Sequence, residues 1–283
     1  MTEPMILRAR VAAPAATVRH ALTDPELLRI WLAEEVEVDV PNKFEFWGKY
    51  TPEGDAPHQR LVHADDTSVK FNWLLDGVDT TVELGVEPES DDSTIVVLSQ
   101  SHFDIQEAME DTSIRGALQT FWCLAIANLV DHLEGRELTH RHDFTATELR
   151  VDSVIDAPLD EVYESLIDSK QVSAWFGYPI EIEPYKGGRY AMGGFESGYA
   201  AKIIDLTPGQ SVTVDWGKPG VQTWELADSG GKTRLTFVQS GWGSENPPHA
   251  GWMGSVSGLA ELRRYHELRD WRPIWIQDEA ASA

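Results

Sequence analysis

Hydrophobic and polar residues change places in short runs along most of this chain. Residues 5–12 and 148–156 alternate apolar and polar side chains, the period of a half-buried strand. Each run stops at an Ala-Pro step, Ala13-Pro14 and Ala157-Pro158, where proline's fixed φ suits the opening turn of a short helix. Asp24-Pro25 and Asp168-Ser169 then read as the cap and first position of a second short helix. That helix ends at Trp31-Leu32 in one case and at Trp175-Phe176-Gly177 in the other. About six strands follow in each half, divided by turn clusters such as Pro52-Glu53-Gly54-Asp55 and Asp228-Ser229-Gly230-Gly231. Each half closes on one long helix, about 112–134 and about 248–270.

The two halves are copies. With Pro14 set on Pro158, an offset of 144 places Val18 on Val162, Leu22 on Leu166, Asp24 on Asp168 and Trp31 on Trp175. Short loop changes then shift the register. Val69-Lys70-Phe71-Asn72-Trp73 falls on Val212-Thr213-Val214-Asp215-Trp216, and Leu98-Ser99-Gln100 on Phe237-Val238-Gln239. Trp122 and Leu129 meet Trp252 and Leu259. So many landmarks in order define an internal repeat. The expected organisation is a first domain at 1-138, a linker at 139-147 and a second domain at 148-283. The fold class expected is α+β: two tandem domains, each an antiparallel sheet of about seven strands wrapped around its long C-terminal helix.

Composition narrows the function. The chain has 283 residues and a formal charge of −24, so it repels phosphate backbones and anionic lipid, and no nucleic-acid or membrane partner is expected. Its single cysteine, Cys123, excludes an intramolecular disulfide and a cysteine-built zinc site. No apolar run approaches the roughly 18 residues of a spanning helix, and no signal peptide is legible, so a cytoplasmic location is expected. No cofactor or metal is expected either, since metalloprotease, nucleophile-elbow, phosphate-loop and dinucleotide signatures are all missing. His140-x-His142 has no acidic or cysteine partners at ligand spacing and reads as part of a solvated linker. The 11 Trp, exceeding both the 9 Phe and the 7 Tyr, must bury their area in cores or around a flat apolar ligand.

These landmarks resemble the SRPBCC superfamily, the START or Bet v 1-like helix-grip proteins. The narrower likeness is to the branch named after the C-terminal domain of the heat-shock-protein-90 ATPase activator. It is carried by Ala157-Pro158, Trp175-Phe176, Gly187-Gly188-Arg189-Tyr190, Leu206-Thr207-Pro208, Thr233-Arg234-Leu235-Thr236-Phe237 and Gly251-Trp252. In the first copy Asn42-Lys43-Phe44 replaces the glycine pair, and Thr120-Phe121-Trp122 lacks the glycine before Trp. The resemblance implies a cavity between sheet and long helix that holds an apolar small molecule. Tandem chains of this length are also similar to polyketide aromatase/cyclases and to two-domain proteins of enediyne (dynemicin-type) biosynthesis. The chaperone-activator role is not expected to carry over, because no segment is left to supply its N-terminal chaperone-binding domain.

Alternation sorts the cavity-facing candidates. In the first copy they are Trp31, Phe71, Trp73, Leu98, Gln100, His102 and Trp122; in the second, Trp175, Phe176, Tyr190, Met192, Val214, Trp216, Trp224, Phe237, Gln239 and Trp252. Gln100 and Gln239 are either ligand hydrogen-bonding points or buried amides satisfied within the protein. If the protein is an enzyme, His102, Gln100, Tyr190 and Gln239 are the residues to orient or protonate a carbonyl-rich substrate. The first long helix is apolar on nearly every side and so needs cover on both faces, for which the second domain is the obvious source. The second is rich in small residues at its start (Gly251, Gly254, Ser255, Ser257, Gly258), which leaves room for a ligand. Three readings follow: a binding protein for an apolar polycyclic intermediate, an aromatase/cyclase-like or hydrolytic enzyme, and a co-chaperone-like protein–protein module. Oligomeric state is not legible.

Overall fold

A computed structural model describes residues 4–102, 117–146, 149–218, 220–241 and 252–276. The order of elements repeats as the sequence pattern does. In the first half, β1 (Met5–Val11) is followed by α1 (Ala15–Ala21) and α2 (Pro25–Trp31). Six strands come next: β2 (Glu35–Asp39), β3 (Lys43–Trp47), β4 (Gln59–Ala64), β5 (Ser68–Leu75), β6 (Val78–Pro88) and β7 (Thr94–Gln100). The long helix is α3 (Leu118–Leu133). The second half runs β8 (Leu149–Ile155), α4 (Leu159–Ile167), α5 (Ser169–Phe176), β9 (Ile180–Ile182) and β10 (Arg189–Met192). It continues through β11 (Ala200–Thr207), β12 (Ser211–Asp215), β13 (Val221–Asp228) and β14 (Thr233–Ser240) to α6 (Trp252–Glu267).

All strand pairs are antiparallel. The second half makes one seven-stranded sheet in the order β8-β14-β13-β12-β11-β10-β9. The first divides its seven strands into a five-stranded sheet, β1-β7-β6-β5-β4, and the hairpin β2-β3. At the seam a side chain takes the place of a ladder bond: the Phe46 N–H donates to Gln59 Oε1 at 3.0 Å, and Gln59 is buried.

Polar anchors recur in both halves, the Asp and Trp pairs at the 144-residue offset and the Thr pair at the shorter offset left by the loop changes. Asp24 caps α2 by accepting from the N–H groups of Glu26 and Leu27, and Asp168 caps α5 by accepting from Gln171. The Trp31 indole donates to the Ala21 carbonyl at 3.0 Å, and Trp175 to the Ser165 carbonyl at 2.8 Å. Thr94 Oγ1 donates to the Ala13 carbonyl and Thr233 Oγ1 to the Ala157 carbonyl, at 2.7 and 2.8 Å. The indole and threonine bonds each satisfy a buried backbone carbonyl, whereas the Asp caps serve helix N–H groups nearer the surface.

The chain divides into two compact units. The first reaches Thr145 and also takes in the described end of the chain from Ile274. There the Arg10 N–H donates to the Ile274 carbonyl and the Ile276 N–H to the Arg8 carbonyl, at 3.0 and 2.8 Å, covering the free edge of β1. The second unit is 146–273. The stretch expected as a solvated linker is packed instead. Asn128 in α3 clamps Thr139 from both sides, its Oδ1 accepting from the Thr139 N–H and its Nδ2 donating to the Thr139 carbonyl. Arg141 lies over the Tyr50 ring at 4.4 Å, Phe144 N–H donates to the Lys49 carbonyl, and His142 is 4% exposed. This strap is part of the cover that the apolar helix demands.

Candidate functional site

In the first unit the expected cavity face is a filled core. Phe44, Phe46, Phe71, Trp73 and Trp122 are fully buried and Phe121 is nearly so. Phe44 stacks on Phe71 at 5.0 Å, while Trp73 stands edge-on to Phe46 at 5.1 Å and to Trp122 at 6.0 Å. Gln100 belongs to this packing: its Oε1 accepts from the Trp122 indole at 3.1 Å and its Nε2 donates to the Ser101 carbonyl. Leu98 is fully buried beside it. Trp31, Phe121, Leu124 and the strap residues Arg141, His142 and Phe144 border a void of about 10 Å³, hardly room for one water.

His102 departs from its expected position. The β7 ladder ends at Gln100, His102 adopts φ +57°, and its exposed ring meets Ser101 Oγ through Nδ1 at 3.0 Å. Alternation holds only while the backbone stays extended, so the inner face does not reach residue 102.

The second unit arranges its aromatics differently. Tyr199 stacks on Trp216 at 5.4 Å, Trp216 meets Tyr190 at 6.1 Å, Tyr190 lies near-parallel to Trp224 at 6.1 Å, and Trp224 meets Phe237 at 5.2 Å. The row runs from open surface to core: Tyr199 is 37% exposed, Trp216 half-buried, Tyr190 7%, Trp224 6% and Phe237 0% exposed. Val214 is buried beneath it and Met192 is half-buried at its open end. Burial pushes the Tyr190 phenol above its ordinary pKa, so it stays a neutral donor.

A chain of amides borders the row. The Trp216 indole donates to Gln222 Oε1 at 2.8 Å, and Gln222 Nε2 donates to Gln239 Oε1 at 3.1 Å. Gln239 and Gln222 face each other across β13 and β14 just as Gln100 and Val82 do across β7 and β6. Gln222 is the residue that sequence reading overlooked. Its signal was an amide two positions before Trp224 on an otherwise apolar strand face.

Trp175 and Phe176 serve packing. A Cβ on Gly258 of α6 would stand 3.0 Å from Trp175 Cζ3 and 3.2 Å from Phe176 Cδ2. The small residue at 258 therefore admits α5 rather than leaving room for a ligand. The expectations for Trp252, Gly254 and Ser255 rest on side chains outside the described residues, as does Gly251 entirely.

One histidine of this unit, His266, is half-buried and makes no ion pair among the described residues. His266 Nε2 meets Ser165 Oγ at 2.8 Å, and burial pushes its pKa down to about 4. An unfolded histidine takes up its proton near pH 6.5, so the unfolded state binds more protons between those values. The contribution is full above about pH 6.5 and is lost as pH falls towards 4. Since the ring is partly exposed, we expect about 1–2 kcal/mol. Thermal melts of His266→Gln should therefore show a shallower loss between pH 6.5 and 4.5 than the parent chain, and parallel curves would refute the assignment.

Among the described residues, no group of three His, Cys, Asp or Glu side chains is placed to hold a metal ion, and no helix is long and apolar enough to cross a membrane.

A sheet wrapped on a long C-terminal helix, with two short helices after its first strand and aromatic side chains between the layers, defines a helix-grip protein in tandem. The chain belongs to the family described as activator of Hsp90 ATPase homolog 1-like protein, matched over residues 12–134 and again over 156–263. No protein of curated function matches it. Among solved structures, DynU16, a protein of the dynemicin biosynthetic locus, aligns over 93% of this chain and 100% of its own, at 17% identity and TM-score 0.39. CalU16 from Micromonospora echinospora aligns over 42% of this chain and 74% of its own, at 22% identity and TM-score 0.37. The Aha1 dimer protein from Colwellia psychrerythraea covers 44% of this chain and 98% of its own, at 16% identity and TM-score 0.39.

Proposed function

We propose that the second unit binds a flat, apolar small molecule of the polycyclic natural-product type, for biosynthesis or self-resistance, and that the first unit is its filled structural partner. The observation that carries this reading is the contrast between equivalent positions. Trp73 and its neighbours are sealed in an aromatic core, whereas Trp216 is half-buried in a row that opens at Tyr199. An aromatic face that leads from solvent into a core offers a planar ligand stacking area and desolvation together.

The test is a tryptophan-fluorescence titration with polycyclic aromatic and polyketide compounds, each hit being followed by mass spectrometry. Saturable quenching at micromolar concentration, weakened by Trp216→Ala and without product, is the expected result. Product formation would move the protein to the cyclase or hydrolase class. Absence of binding by every compound would overturn the ligand reading.

A further inference from the structure

The two large sheets treat their edges differently. In the first unit the outward backbone groups of β1 are taken by the described end of the chain, where the Arg10 N–H donates to the Ile274 carbonyl and the Ile276 N–H to the Arg8 carbonyl. At the far edge of the second sheet, Ser173 and Ser169 of α5 accept from the N–H groups of Ile180 and Ile182 in β9, at 2.8 and 2.9 Å. The edge of β8 has no such cover. Asp152 and Val154 stand at the 144-residue offset from Arg8 and Arg10, and they meet Thr236 and Arg234 of β14 as Arg8 and Arg10 meet Val97 and Ile95 of β7. Their outward backbone groups bond to nothing among the described residues. The outer face of the strand is open as well, with Val154 42% exposed and the Arg150 and Asp152 side chains 54% and 53% exposed. An unpaired strand edge is a template for another strand.

We infer that β8 is the docking surface for a second copy of this chain, the two β8 strands pairing antiparallel about a two-fold axis at Val151. Charge selects both this occupant and this register. Arg150 and Asp152 form an exposed ion pair at 3.2 Å on the outer face of the strand. Pairing centred on Val151 sets Arg150 opposite the partner's Asp152 and Asp152 opposite the partner's Arg150. Both positions share the parity of the outward backbone groups, so each such pair exchanges two backbone hydrogen bonds across the axis. A centre at Arg150 or at Asp152 would instead oppose like charges, which destabilises a ladder. Edge charges ordinarily keep strands apart. Here their signs alternate so that the edge is its own complement, the condition for an isologous dimer. The inference uses no residue of the aromatic row and stands independently of the ligand-binding reading.

The experiment is sedimentation velocity of the full chain from micromolar to millimolar concentration. It is run at about 0.15 M salt, where a Debye length of about 8 Å screens the repulsion between two chains of charge −24 but not a contact pair. A reversible shift from 31.6 kDa to twice that mass is expected. Arg150→Glu and Asp152→Arg should each weaken the dimer about 10-fold or more, since the two-fold axis repeats every repulsion. An equimolar mixture of the two variants should recover it, because each then meets opposite charges on the other. Circular dichroism verifies that both fold. Should Asp152→Arg not fold, hydrogen exchange of the parent chain decides: residues 149–153 gain protection as concentration rises, and unchanged exchange there would overturn the inference. So would a single 31.6 kDa species at every concentration, a dimer that either variant leaves intact, or a mixture that stays monomeric.

Discussion

Trp73→Ala should lower the unfolding free energy by about 3–5 kcal/mol, the range for removing a large aromatic from a packed core. The indole is fully buried, edge-on to Phe46, Phe121 and Trp122, and these rings are themselves held by one another. Rings so interlocked relax little, so most of the vacated volume stays empty. The repeat counterpart behaves otherwise. Trp216 is half-buried, and Trp216→Ala gives up one hydrogen bond to Gln222, the stacking on Tyr199 and an edge contact with Tyr190. A cost of about 1–2 kcal/mol is expected there, with the larger effect falling on ligand affinity. Urea denaturation followed by circular dichroism checks both variants. Equal costs would mean that the two aromatic sets are packed alike, removing the contrast on which the ligand reading stands.

Gly258→Val should be the most damaging small change in the second unit, at about 2–3 kcal/mol, because it overfills a closed contact. Trp175 cannot retreat easily: it is 5% exposed and its indole is tied to the Ser165 carbonyl. Gly258→Ala brings the same first atom towards the rings but gains about 1 kcal/mol of helix propensity, so it should lie close to the parent. The melting temperatures of the three proteins decide the matter. A valine variant as stable as the parent would show that α6 stands further from α5 than the 3.0 Å approach implies. At the matching position of α3 the first copy carries Asn128, whose amide clamps the strap at Thr139. One repeat position thus serves close approach in one unit and strap attachment in the other.

Much of the fold was legible because it rests on local rules. Ala-Pro corners, Asp caps and alternating strands act over a few residues, and the ancestral repeat wrote each of them twice. The structure places these features where the pattern put them, and it adds that Trp31 and Trp175, matched by the repeat, make equivalent indole bonds to a backbone carbonyl. The aromatic membership of both sheet faces was legible for the same reason, since Phe71 with Trp73 and Val214 with Trp216 follow a period of two.

Other features depend on contacts between distant segments. His102 left the inner face because the backbone turned after Gln100, and residues 139–144 became a strap because Asn128 and Tyr50 lie beside them in space. Ile274 returned to the edge of β1 across the length of the second copy. The sequence by itself determined the tandem helix-grip architecture, the Ala-Pro corners and the Asp caps, because periodicity and capping are local. Only the tertiary structure decided that one aromatic set is sealed while the other opens to solvent. Packing depends on which side chains meet, and near-identical strand patterns leave that choice to volumes and partners brought from elsewhere in the chain.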